Sequence, residues 1–213
     1  AAGDQTSIER YFVYGSKITY ATTIGACMGV GMLGDSFIGL WVGESYAEEA
    51  RELLWIMATA SAIGASLPLH NRMLVAMNMH GRLSVIYSLK AVLQVCLMIL
   101  LAFQLGVKGV AIASLAVNVV AIPFIWRLVF SALEISASKF IRTVTFPLVV
   151  SAAGMGAGLF LARMVYAAAS WPAFAAHVTF GAVLYVGLLW AVGFGGEERA
   201  LLFRLLSRTI RGG

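Results

Sequence analysis

The feature that most restricts this chain is a succession of long apolar runs with little between them. Six stand out, at residues 18–41, 53–73, 83–104, 110–129, 144–166 and 172–193, and none holds more than one Asp, Glu, Lys or Arg. About 20 apolar residues in a helix rise about 30 Å, the thickness of the hydrocarbon layer of a bilayer. The runs are not amphipathic, which suits helices that face lipid and each other. Composition agrees: of 213 residues, 61% are hydrophobic and 12% charged, where a soluble domain carries about 25% charge. So few charges cannot clothe a water-soluble globule. A soluble enzyme, a disordered chain and a coiled coil are excluded. An all-α polytopic membrane protein with six transmembrane helices is expected.

Charge then sets the orientation. With the N-terminus cytoplasmic, the inner side carries Arg10, Lys17, Arg72, Arg82, Lys90, Arg127, Lys139, Arg142, Arg199, Arg204, Arg208 and Arg211. The outer side carries only Arg51, Lys108 and Arg163. Twelve basic residues against three is a strong positive-inside signal, and six spans then place both termini in the cytoplasm. The net charge of +5 follows from this topology and gives no reason to read a nucleic-acid surface. The first outer loop is acidic, with Asp35, Glu44, Glu48, Glu49 and Glu52. The last three open the second span, where the helix dipole favours anions. Trp41, Tyr46, Trp55, Tyr166 and Trp171 outside, and Tyr11, Tyr14, Tyr87, Trp126 and Trp190 inside, form the interfacial aromatic belt.

Proline and glycine punctuate the spans. Pro68 and Pro123 are expected to kink the second and fourth, Pro147 to fall in the first turn of the fifth, and Pro172 to open the sixth behind Ser170 as N-cap. The longest connection is expected at 131–142. Residues 1–196 thus read as a six-helix membrane bundle. Residues 197–213 read as a cytoplasmic amphipathic helix whose Arg204, Arg208 and Arg211 share one face against the anionic inner leaflet. The chain begins at Ala1 with no signal-peptide pattern, so a piece of a longer protein is expected.

Catalytic patterns are missing. There is no GxSxG, HExxH or Walker loop, and His70, His80 and His177 stand in separate segments. Cys27 and Cys96 lie in apolar runs with no ligand-spaced partner and read as small buried hydrophobes. No enzyme, cofactor or metal is expected. Polar groups inside the bilayer are costly unless used, so they are the candidate site residues. Gln94 and Asn118 lie about 12 residues from the turn near 105–107, on opposite arms of one hairpin. They share a depth and can hydrogen-bond to each other, as interhelical glue or as lining of a polar path. Lys90 lies about 10 Å into the third span. Its amine either snorkels to the headgroups or turns into a cavity to meet a phosphate. Arg72 and Lys17 offer the same choice nearer the surface. Asp35 lies in a Gly34-Asp35-Ser36 break, as a hydrated distortion or as a proton or cation site. Gly25–Gly29 and Gly154–Gly158 are GxxxG pairs that let helices approach closely, within the bundle or between chains.

Two stretches resemble a known family. Phe37-Ile38-Gly39-Leu40-Trp41-Val42-Gly43-Glu44-Ser45-Tyr46, followed by an apolar helix, resembles a passage of polysaccharide flippases. Leu105-Gly106-Val107-Lys108-Gly109-Val110-Ala111-Ile112-Ala113 resembles the turn that opens a later helix in the same family. The stretch from Pro68 to Ser84 resembles a helix end between them. The family is the polysaccharide biosynthesis branch of the multidrug/oligosaccharidyl-lipid/polysaccharide exporter superfamily, and the resemblance covers residues 11–130. It implies that the six spans are the ninth to fourteenth helices of a fourteen-helix flippase in the bacterial cytoplasmic (inner) membrane. Its implied partners are lipid-linked oligosaccharide, membrane lipids and an opposing N-terminal lobe.

Such proteins pass undecaprenyl-diphosphate-linked sugars to the outer leaflet by alternating access, for polysaccharide or lipopolysaccharide synthesis. They are often coupled to an ion gradient, H+ or Na+. The cationic cavity residues of relatives come largely from helices outside this chain, so no defined binding residue carries over. In some relatives the last two helices form a groove for the lipid tail, and the same is expected here of 144–166 and 172–193. Other readings are a drug or cation antiporter of the same superfamily, a non-transporting membrane assembly protein, and a membrane glycosyltransferase or polymerase. The last is disfavoured by the short outer loops.

Overall fold

Helix dominates, because a backbone in an apolar medium must satisfy its own hydrogen bonds. The structure, a computed structural model, describes residues 2–65 and 67–194, with side chains from Ile8 onward. The expected amphipathic tail at 197–213 lies outside the described residues. Helix α1 spans Ala2–Trp41, α2 Glu44–Gly64, α3 Leu67–Ala76 and α4 His80–Leu133. A short α5, Ala137–Phe140, leads through a π-helical turn, Ile141–Thr145, into α6, Phe146–Val165. Helix α7, Trp171–Leu188, ends in a second π-helical turn, Leu189–Gly193. Among the described residues five helical segments are long and apolar enough to cross a membrane, and the chain reads as membrane-embedded.

The connections are shorter than the sequence leads one to expect. Only Val42 and Gly43 separate α1 from α2, so Glu44 to Arg51 are helical and not a loop. Gly43 takes φ 135°, a conformation open to glycine. The connection expected at 131–142 shrinks to 134–136, with the rest in helix or π turn. Asn78 and Glu134 end α3 and α4 in the left-handed region, at φ 59° and 55°. Each lets the next N–H reach back: Met79 to Leu74 O at 2.9 Å, Ile135 to Phe130 O at 3.1 Å.

The 54-residue α4 would be about 80 Å long if straight, far beyond a bilayer. It is not straight. Gly106 takes φ 59°, ψ −139° and divides it into two arms. Ile86, Leu89, Lys90 and Leu93 of the first arm share a cavity with Val117, Val120, Ala121 and Phe124 of the second, so the arms run back to back. A side chain at Gly109 would strike the carbonyl of Leu101, which fixes glycine three residues past the turn.

The prolines act as the sequence predicts in two places. Pro172 sits in the first turn of α7, and Ser170 caps it by accepting from Ala173 N–H at 3.4 Å. Pro147 sits in the first turn of α6 directly after the π turn, where a missing N–H and a bulky ring are accommodated by the wider helix. Pro68 lies in the first turn of α3, so the second run is broken between α2 and α3. Pro123 is inside the second arm of α4, where non-helical backbone angles occur only at Gly106.

Helix α1 packs along α2, α6 and α7, while α4 packs on α2 and α3. Small residues bring the helices close. Gly25 lies under the ring of Tyr185, Gly154 under Leu188, with room of only 2.6 Å for an added carbon, and Gly158 under Leu184. The second GxxxG pair and Gly25 of the first are thus used inside the bundle. Tyr185 Oη donates to Ala21 O at 2.7 Å and joins α7 to α1.

Two ends emerge from the contacts. At one, the N-terminal end, Glu9 pairs with Lys139 at 2.8 Å, and Lys17 Nζ lies 5.4 Å from the centre of the Phe194 ring. At the other, the Asp35 end, Asp35 meets Arg51 and Arg163, Glu52 pairs with Lys108, and Phe37 packs on Trp171 and Phe174. Every one of these ion pairs joins residues that the charge reading puts on one side of the membrane.

Candidate functional site

Three features can interact with something beyond the fold: an ion cluster, a set of interior polar groups and an apolar groove. The cluster centres on Asp35. The expected break at 34–36 does not exist, because α1 is continuous there. Asp35 is 4% exposed and fully engaged. Its Oδ1 accepts from Ser36 N–H at 2.7 Å and Arg163 Nη1 at 3.0 Å. Its Oδ2 accepts from Arg163 Nη2 and Arg51 Nε, both at 3.0 Å. Arg163 Nη1 also donates to Met32 O. The fork-on-carboxylate geometry fixes direction as well as distance. Asp35 is therefore a clasp joining α1, α2 and α6, not a hydrated distortion. A cavity of about 420 Å³ opens beside it, between Trp55, Phe160 and Met164.

The interior candidates do not converge. The Asn118 amide turns to α2, donating to Ala60 O at 3.3 Å. The Gln94–Asn118 bond that the spacing permits is replaced by this bond to α2. Gln94 is half-buried, one helical turn beyond Lys90 on the same arm. Lys90 is half-buried, lines the cavity of about 190 Å³ between the arms, and lies 5.7 Å from the centre of the Tyr87 ring. Arg72 is exposed on α3. Next to it, Asn71 Nδ2 donates to Tyr87 Oη at 2.6 Å and ties α3 to the first arm. Gln94, Asn118 and Arg72 line neither the Lys90 cavity nor the Asp35 cavity.

Two histidines are buried. His70 is enclosed by Phe12, Trp126, Phe130 and Phe140, with ring centres 5.0–6.3 Å away, and anchors the N-terminal end of the core. His177 Nδ1 meets Ala173 O at 2.8 Å. A carbonyl only accepts, so Nδ1 carries the proton there. Among the described residues no three His, Cys, Asp or Glu side chains gather as a metal site.

The third feature is the apolar groove. It has a volume of about 770 Å³ and runs along α1 and α7. The small residues Ala21, Gly25, Ala26, Gly29 and Gly34 make its floor on α1, and Phe174, Val178, Ala182 and Val186 its wall on α7. No open groove separates α6 from α7, which close on each other through Gly154 and Gly158; the open face lies between α1 and α7. Small side chains on one helix and a bulky tyrosine on the other create it, a pairing of distant segments that no local pattern reveals.

No protein-family model, no curated protein and no solved structure matches this chain.

Proposed function

We propose that this chain is the C-terminal part of a flippase that carries lipid-linked oligosaccharide, of the undecaprenyl-diphosphate-sugar type, to the outer leaflet by alternating access. In this reading the two arms of α4 cross the membrane separately. That makes six spans with both termini in the cytoplasm, in a bacterial inner membrane. The observation that carries the proposal is the apolar groove between α1 and α7. A lipid-linked sugar is a polar head on a long hydrocarbon, and its carrier needs an apolar face for the tail that stays open to the bilayer while the head crosses. The floor of glycine and alanine leaves that space, and the lining offers the tail almost no polar group to desolvate.

The flippase-like passages at 37–46 and 105–113 support the same reading. Both fall at tight turns, Val42–Gly43 and Gly106. Lys90, Gln94, Asn118 and Arg72 are the candidate lining of the head's path. Asp35 takes the role of a clasp. Transport itself requires an opposing lobe, because alternating access is one body moving against another.

The test is deletion of the full-length parent in its native host, complemented with wild type or with Lys90→Ala and Gln94→Ala at equal membrane levels. The proposal expects surface polysaccharide to vanish on deletion while lipid-linked precursor accumulates inside. Intact polysaccharide with raised drug sensitivity would replace the flippase by an antiporter.

A further inference from the structure

Residues 53–133 contain no aspartate or glutamate, yet hold Arg72, Arg82, Lys90, Lys108 and Arg127. Lys108 at the Asp35 end has Glu52 as its partner. Three of the others are carried by α3 and the first three turns of α4, at the junction of two elements that pack on each other. The hydrogen bond from Asn71 to Tyr87 closes that junction, Arg72 follows Asn71 on α3, and Arg82 and Lys90 flank Tyr87 on the arm. Lys90 Nζ sits by the Tyr87 ring. Among the described residues, none of the three cations has an ion-pair partner, in contrast to Arg51, Lys108, Lys139 and Arg163. Asn71 Oδ1 is buried with no hydrogen-bond partner.

An ammonium in an apolar arm needs a counter-charge, and no carboxylate of the surrounding segment can supply it. Beside the cations the arm exposes Val85, Leu89 and Val92, apolar side chains on a helix read as membrane-embedded. Phosphate above and hydrocarbon beside is the chemistry of a phospholipid. We propose that the α3–α4 junction binds the headgroup phosphate of an anionic phospholipid from the leaflet at that end. Arg72, Arg82 and Lys90 supply charge, and Val85, Leu89 and Val92 receive the acyl chains. Basic pockets between membrane helices take anionic headgroups in this way. The inference rests on the membrane reading alone; Arg72 and Lys90 are shared with the proposed head path, and lipid retention is measured without transport, so the two readings fail separately.

The experiment reconstitutes the full chain in nanodiscs of equal phosphatidylglycerol and phosphatidylcholine, then counts the lipid retained through detergent exchange by mass spectrometry. Wild type is expected to retain phosphatidylglycerol selectively. The preference should collapse in 1 M salt, where the screening length falls to about 3 Å. The double variant Arg82→Gln/Lys90→Gln should lose roughly 25-fold in selective retention, about fivefold per charge. Arg127→Gln/Arg142→Gln, an equal change in charge, should stay near wild type. Equal loss in both pairs, or a wild-type preference indifferent to salt, overturns the site. Inorganic phosphate is the remaining arm: if it binds the wild type while phosphatidylglycerol shows no advantage over phosphatidylcholine, the occupant is free phosphate and the headgroup assignment falls. The salt arm needs no variant, so a variant that fails to fold does not shield the proposal.

Discussion

At the scale of single residues, Asp35 carries most of what the sequence hides. Its two arginine partners lie 16 and 128 positions away, and their approach depends on how α2 and α6 pack on α1. The available signal was depth: Asp35 and Arg163 are opposite charges lying near the same ends of two apolar runs. Removing Asp35 leaves Arg163, whose side chain is 29% exposed, beside the more exposed Arg51 without a counter-charge. Asp35→Ala should destabilise toward the lower end of the roughly 3–5 kcal/mol seen when a buried pair loses one member. Thermal unfolding in detergent measures this, and the double change Asp35→Ala/Arg163→Leu should recover part of the loss. A second residue, Tyr185, spends its hydroxyl on the Ala21 carbonyl. Tyr185→Phe should cost about 0.6 kcal/mol, the average for an interhelical bond in a membrane. Asn118 shows where legibility stops. Counting along an arm gives an expected depth only. The direction of Asn118 follows from helical phase against α2, which counting does not give.

At the scale of elements, apolar runs announce helices because hydropathy is a property of each residue alone. Their ends are less legible. Four of the eight residues from Glu44 to Arg51 are charged, so hydropathy assigns the stretch to a loop, yet it is helical and presents its charges at the Asp35 end. The turn at Gly106 was legible from its two glycines, and each is needed for a different reason. Gly106 has a backbone that other residues adopt only under strain, while Gly109 has no room for a side chain against Leu101 O. Gly109→Ala should therefore open the hairpin tip. The expected cost is roughly 1–3 kcal/mol of overpacking, with faster amide exchange at 101–109 as its signature. Gly158→Val should cost a similar amount by pushing Leu184 from its seat and separating α6 from α7. An unchanged melting temperature in either variant would show that the approach is looser than the structure has it.

At the scale of the whole molecule, α1 and α7 form one open apolar groove, which we propose serves the tail of a lipid-linked sugar. The groove was not legible in the sequence, since it joins segments more than 130 residues apart and its floor is defined by what side chains leave empty. The long apolar helices and the Ser170 cap were legible because each is local. The most direct test fills the groove. Ala26→Trp places an indole on its floor, and Val119→Trp places the same indole on an exposed face of α4 outside it. Both should be made in the full-length parent in its native host, at equal membrane levels. The account predicts that Ala26→Trp lowers surface polysaccharide and accumulates lipid-linked precursor, while Val119→Trp leaves both as in wild type. Wild-type export with the groove filled would contradict it.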